Sequence, residues 1–283
     1  MPQKTALITG CSDGGIGAAL AAEFQLRGLR VLATARDTSK MAALAARGIE
    51  TIALDVTSEA SIAEAVAQAR EKLNGRLDLL INNAGVHHIL PLSDAKIADL
   101  RRVVDTNVVG SLAVTQAFIP LLLRRDSSEG KSTIVMLGSI NEVFTPPYQS
   151  AYNASKAAVH AVARTLRVEL APLGINCVTL MTGGVRTKLF ENAPPSTLPA
   201  DSLYAAVAGS IESREILRNA KWVDADEFAR QVADELLRPR PRLDIWRGGL
   251  ASVASWLAWL GWEGMLDSSV LKANHLDQVR LVP

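Results

Sequence analysis

Cysteine is nearly missing from this chain. Cys11 and Cys177 are the only two among 283 residues, they lie far apart, and neither belongs to a CxxC pair. A disulfide framework and a zinc site are thereby excluded, no metal site is expected, and a reducing compartment is the plain inference. An excess of either charge is missing too: 30 basic residues face 29 acidic ones, for a formal net charge of +1. Without a polybasic face there is no electrostatic footprint for nucleic acid, and no nucleic-acid partner is expected. Long apolar runs are also lacking, since the longest, around 250–262, falls short of the ~20 residues that a spanning helix needs. MPQKTALITG enters a strand-like run almost at once, so no signal or transit peptide is expected. No Pro/Gly/Ser-rich linker divides the chain, which reads as one domain with 48% hydrophobic residues to fill its core.

What is present alternates in type. ALITG reads as a buried strand, and GGIGAALAAEFQLRG follows with apolar positions at helical spacing. Between them Gly10, Gly15 and Gly17 permit a tight turn and close backbone approach, and Ile16 opens a helix whose free amides and positive dipole end suit a pyrophosphate. LRVLATARD is a second strand. In such a unit the residue just past this strand meets the adenosine ribose: an acid accepts from a 2′-hydroxyl, whereas an arginine pairs with a 2′-phosphate. Arg36 therefore favours NADP, with Ser12 a second phosphate contact, although Asp37 stands immediately beside it. IETIALDV supplies a third strand ending at Asp55 and Val56, and SIAEAVAQAREKLNG a helix. LDLLINNAGV supplies a fourth strand ending in Asn83, Ala84 and Gly85, where small residues let a cofactor lie against the backbone. This alternation implies right-handed crossovers and a parallel sheet: an α/β, Rossmann-type, doubly wound fold with helices on both faces.

A long helical region over 94–125 contains Asn107, whose low mid-helix propensity leaves three readings open: a bend, a bound water near the site, or a simple surface asparagine. KSTIVMLGS is the fifth strand and brings Ser139 to its end. The helix in QSAYNASKAAVHAVARTLRVELAP then places Tyr152 and Lys156 four apart, one turn from each other on one face. A cation beside a phenol is expected to lower its pKa from about 10 towards the operating pH, as general acid-base work requires. GINCVTLMTGGV is the sixth strand with its loop.

Taken together, TGCSDGGIG, LDV, NNAG, Asn107, Ser139, Tyr152, Lys156 and the strand running to Thr187 resemble the short-chain dehydrogenase/reductase superfamily over about residues 4–190. Within it, the extended glycine turn, TGGV after the sixth strand and the tail beginning DIWRGG are similar to the fungal branch of NADPH-dependent 1-acyldihydroxyacetone phosphate reductases. The resemblance implies hydride transfer between NADP(H) and a ketone or secondary alcohol. It gives Tyr152 as proton donor, Ser139 as its partner on the carbonyl oxygen, Lys156 on the nicotinamide ribose, and Asn107 holding a relay water. It also implies cofactor contacts from Gly183, Val185 and Thr187. Two departures stand out: four residues, 11–14, separate Gly10 from Gly15 where the family has three, and MTGG at 181–184 replaces the usual Pro-Gly.

Beyond Thr187, a proline-rich stretch within 187–222 reads as a substrate loop. His87, His88, Asn141, Glu142 and 188–203 are expected around the substrate. VDADEFARQVADELL is an amphipathic helix, RPRPR a basic surface turn, and 243–283 an apolar extension. Trp256, Trp259 and Trp262, three apart, are expected on one helix face, serving as extra core, as a pocket roof or oligomer interface, or as a membrane-surface contact. A bulky apolar ketone is the expected substrate, and a homo-oligomer the expected assembly. The expected location is cytoplasmic, with peripheral attachment to endoplasmic reticulum or lipid droplets as a further possibility. The competing functions are a redox-neutral cofactor-dependent enzyme and a NADP-binding scaffold without turnover.

Overall fold

The computed structural model describes residues 3–123, 130–218 and 220–280. Its centre is a seven-stranded parallel sheet in the order β3-β2-β1-β4-β5-β6-β9. The strands are β1 (Thr5–Ile8), β2 (Arg30–Ala35), β3 (Glu50–Ala53), β4 (Leu79–Asn82), β5 (Ser132–Leu137), β6 (Ile175–Thr182) and β9 (Asp244–Arg247), with a separate parallel pair of β7 (Val185–Arg186) and β8 (Val223–Asp224). The helices are α1 (Ile16–Leu26), α2 (Ala42–Ala46), α3 (Glu59–Lys72), α4 (Ile97–Val104), α5 (Gly110–Leu122), α6 (Asn141–Phe144), α7 (Ser150–Glu169), α8 (Ala208–Glu212), α9 (Ala225–Leu236), α10 (Ala251–Leu260) and α11 (Asp267–Ala273). TALI, LLIN and STIVML are buried at every position, as strands covered on both faces must be. One cluster packs α1, whose Phe24 is fully buried, and α9, whose Phe228 is too, against one face. The other packs α3, α5 and α7 on the opposite face around Phe118. The expected doubly wound sheet is the observed one.

The strand order reverses between β1 and β4, and this is the crevice where open α/β sheets receive ligands. Residues immediately past β1, β4 and β5 therefore converge on one edge.

Three details differ from the sequence-based expectation. The long helix is interrupted: α4 passes through one π-helical turn at Asp105–Val109 before α5 begins. The end of the expected helix, 124–125, lies outside the described residues. The apolar extension is no appendage, because its first residues are β9, registered Thr179↔Asp244 to Thr182↔Arg247 on β6. The 187–222 loop springs from the β7–β8 pair, which ties its two ends together.

The MTGG departure has a steric cause. Gly184 and Gly249 exchange backbone hydrogen bonds at 3.0 Å in both directions. A Cβ on Gly184 would lie 2.1 Å from the Lys221 carbonyl oxygen, and one on Gly249 only 1.7 Å from it. Three backbone segments, from the β6 loop, the end of β9 and the end of the substrate loop, meet here with no room for a side chain.

Candidate active site

The Gly-rich turn is held from beneath by β4. Asn83 Nδ2 donates to the carbonyls of Thr9 at 2.7 Å and Gly10 at 3.0 Å. Thr9 Oγ1 in return accepts from the amides of Asn83 and Ala84. Gly10 has φ +73°, and a Cβ there would sit 2.8 Å from Ala84 Cα, so the turn demands glycine on both conformational and steric grounds. Gly17 plays the same packing part, its missing Cβ facing Asn83 Nδ2 at 2.5 Å, and it stays behind the cavity wall. The first turn of α1 has no side-chain cap and no acidic residue, leaving its amides and positive dipole end to an anion.

A cavity of about 1110 Å³ begins at this turn, and Gly10, Ser12, Gly15, Ile16, Arg36, Asp55, Val56, Asn83, Ala84 and Gly85 all line it. Lys40 adds a second cation near Arg36. Asp37 is turned away: its Oδ1 accepts from the Ser39 amide and hydroxyl, which lowers its pKa and keeps it capping the turn at 38–41. The Asp55 carboxylate is engaged by the Thr57 amide and hydroxyl. The adenosine end thus presents two cations and no competing acid from Asp37. Ordinary ligand pockets measure roughly 300–1,000 Å³, so this cavity stands just above the top of that range.

At its middle the cavity meets Ser139, Tyr152 and Lys156. The Tyr152 hydroxyl is hydrogen-bonded to Ser139, whose Oγ also accepts from the Asn141 amide at 3.1 Å. Lys156 Nζ donates to the Leu137 carbonyl at 2.8 Å and lies 5.7 Å from the centroid of the Tyr152 ring. Burial pushes the Lys156 pKa down to about 8 and the Tyr152 phenol up to about 12, the Ser139 bond offsetting only part of the latter. The expected lowering of the phenol by Lys156 is not found: loss of solvation dominates, and the Ser139 bond is what opposes it. A raised pKa favours the protonated phenol, the form that can donate to a carbonyl oxygen.

Asn107 lies off the cavity wall, buried in the π-helical turn. Its Oδ1 accepts from the Val86 amide at 2.8 Å, and its Nδ2 donates to the Val86 carbonyl and to Ser155 Oγ, both at 3.0 Å. It pins the segment following NNAG to α7 one residue before Lys156. Gly183, Val185 and Thr187 line the cavity beside the reacting groups.

The far half is apolar and aromatic, with Phe144, Leu189, Phe190, Leu217, Trp222 and Leu250 on its wall. His87 and Asn141 belong to it, whereas His88 and Glu142 do not. The three tail tryptophans do not either. Trp256 and Trp259 are exposed on α10, and Trp262 is exposed beyond the helix end, so they form neither core nor pocket roof. Instead the tail contributes Leu250, Ala273 and Asn274, the last fixed by a bond from the Tyr148 hydroxyl to its carbonyl. Sequence reasoning missed Thr9, Lys40 and Gln149. Thr9 carries a signal in hindsight, as a buried hydroxyl at a strand end that needs partners.

A family model for the short chain dehydrogenase matches residues 4–197. The chain belongs to the short-chain dehydrogenase family. Among the relatives of this dehydrogenase is the short-chain dehydrogenase/reductase GME11361 of Pestalotiopsis microspora, 40% identical over 98% of this chain and 96% of its own. Another is the NADPH-dependent 1-acyldihydroxyacetone phosphate reductase of Schizosaccharomyces pombe, 37% identical over 99% of this chain and 94% of its own. Among solved structures, a short-chain dehydrogenase from Streptomyces avermitilis superposes with a TM-score of 0.76 at 27% identity, over 99% of this chain and 97% of that one. One from Burkholderia cenocepacia, solved in complex with NADP, gives 0.72 at 25% identity, over 95% and 98%.

His160 ties three elements that frame the site. Its Nδ1 lies 2.7 Å from Glu142 Oε1 on α6, and its Nε2 lies 3.4 Å from Asp244 Oδ1 on β9. Asp244 and then Glu142 raise its pKa from 6.5 to about 9. The imidazolium therefore adds stability that is complete below pH 6.5 and is lost as pH rises through about 9. In urea unfolding of wild type and His160→Gln, the wild-type advantage should be full at pH 6 and shrink towards zero by pH 9.5. An advantage that grows with pH would contradict the ion pair.

Proposed function

We propose that this dehydrogenase is an NADPH-dependent reductase of a bulky, largely apolar ketone, and that it also catalyses the reverse oxidation of the secondary alcohol. The observation that carries this reading is the place of Tyr152 and Ser139, where the phosphate-cradling half of the cavity joins its aromatic half. NADP(H), when bound, supplies the hydride. The turn amides would hold its pyrophosphate, while Arg36, Ser12 and Lys40 would hold the extra phosphate. Lys156, fixed on the Leu137 carbonyl, holds the nicotinamide ribose. Ser139 and Tyr152 bind the carbonyl oxygen from one side, and Tyr152 gives it a proton as charge develops there. Asn107, through Ser155 and Val86, keeps Lys156 in line.

The aromatic half favours an apolar substrate, because each buried aromatic offers about 150–250 Å² of contact. The fission yeast relative is named for 1-acyldihydroxyacetone phosphate, and an acyl ketone of that kind suits this half, as does a polycyclic ketone. The exposed Trp256 and Trp259 face is assigned to a homo-oligomer contact in a cytoplasmic protein. Peripheral attachment to endoplasmic reticulum or lipid droplets is the competing role. Sedimentation of the Trp259→Lys variant as a smaller species supports the oligomer, and flotation of unmixed wild-type monomer with vesicles supports the membrane.

The function is tested by NADPH loss and alcohol formation with short hydrophilic, long-chain acyl and polycyclic ketones. One alcohol should form per NADPH with the last two classes. Product without NADPH loss would show redox-neutral chemistry, and no product with any ketone would leave a binding scaffold. NADPH should bind more tightly than NADH by fluorescence titration, and Arg36→Asp should reverse that order. Equal or tighter NADH binding by the wild type would contradict the assignment of Arg36.

A further inference from the structure

His87 is fully enclosed, yet the polar chain beside it dictates which of its nitrogens carries the proton. The chain starts at the Pro146 carbonyl, which can only accept, so the atom 2.9 Å away is Asn153 Nδ2. Asn153 Oδ1 then faces Asn141 and accepts from its Nδ2 at 3.2 Å. The same Nδ2 donates to Gln149 Oε1 at 3.0 Å, which fixes that oxygen as an acceptor. His87 Nε2, 2.9 Å from it, must therefore hold a hydrogen. Burial keeps the ring neutral, with its pKa pushed down to about 3. Nδ1 is left as a bare lone pair, buried and with no partner among the described residues.

A buried acceptor without a partner is costly and rare. A ring that served only for packing would need no such lock on its tautomer, since an apolar ring fills the same volume at lower cost. The position points to the substrate. The His87 ring centroid is 4.2 Å from that of Tyr152 and 4.9 Å from that of Phe190, and all three rings line the cavity. Phe190 lies on the 187–222 loop, so that loop walls one side of the space around the imidazole.

We propose that His87 Nδ1 accepts a hydrogen bond from a hydroxyl that the substrate carries within a few bonds of its reacting carbonyl, so that the enzyme selects hydroxy ketones over plain ketones. This rests on the ketone-reductase reading above and adds to it a substrate class and the residue that reads it. Tyr152 and Ser139 take the carbonyl oxygen, His87 takes the neighbouring hydroxyl, and the two bonds together set which way round the ketone lies. Gln149, Asn141 and Asn153 act through His87 as positioning residues.

The probes are 2-dodecanone, 1-hydroxy-2-dodecanone and 4-hydroxy-2-dodecanone, which differ only in the hydroxyl. In the wild type at least one hydroxy ketone should exceed 2-dodecanone in kcat/KM on the order of 10-fold or more. His87→Phe should bring that ratio close to one. Gln149→Leu, which frees the tautomer, should lower it, whereas Gln149→Glu, which still accepts from Nε2–H, should preserve it. Nitrogen-15 NMR of histidine-labelled wild type provides a readout independent of turnover. It should show the Nε2–H tautomer of His87, and in the presence of NADP the Nδ1 resonance should move with a hydroxy ketone and stay in place with 2-dodecanone. Equal kcat/KM for all three ketones would overturn the proposal while leaving ketone reduction intact, and so would an unchanged ratio in His87→Phe. If no ketone is reduced at all, the functional reading fails, and an Nδ1–H tautomer or an unmoved Nδ1 resonance then overturns this proposal as well.

Discussion

The bond from the buried Lys156 ammonium to the Leu137 carbonyl is the contact on which the site depends. It runs from the first turns of α7 to the last residue of β5, and so sets the height at which the helix sits over the sheet. Ser139 lies two residues past that carbonyl and Tyr152 one helical turn before the lysine. Their meeting follows from this one connection. Burial makes the connection strong and also sets its chemistry, lowering the lysine pKa and raising that of the tyrosine, so that the phenol keeps its proton until a carbonyl oxygen asks for it.

Around this contact the parallel sheet brings together loops that are far apart in sequence. Thr9 and Asn83 lock the end of β1 to the end of β4, which stiffens the phosphate-cradling turn despite its extra residue. The glycines of the β6 loop and of the β9 end let the tail and the substrate loop press against each other without side chains between them. The aromatic half of the cavity is thereby anchored on the same sheet edge as the cofactor half.

Local patterns are legible in the sequence alone. Apolar runs marked the strands, glycine spacing marked the turn, and the i, i+4 spacing of Tyr152 and Lys156 marked the reacting face. Asp37, the ambiguous neighbour of Arg36, is resolved by a short-range cap on Ser39, a signal already present in Asp-Thr-Ser. What was not readable depends on distant neighbours. The π-helical turn seats the Asn107 amide against Val86 and Ser155, which lie far from it in sequence. MTGG is explained only by the backbone of Lys221 and Gly249. The direction of the Tyr152 shift needed its burial, which no spacing gives. The tail tryptophans matched a helical face, yet α10 stops at Leu260 and that face looks outward.

If Tyr152 is the resident proton donor of a hydride-transfer site, single-turnover reduction by Tyr152→Phe exposes it most directly. With NADPH prebound and a long-chain ketone added, the rate of product formation should fall by ~10² to 10⁴, the range of general acid catalysis, while the NADPH dissociation constant stays near that of the wild type. A variant that reduces the ketone at the wild-type rate would contradict the claim.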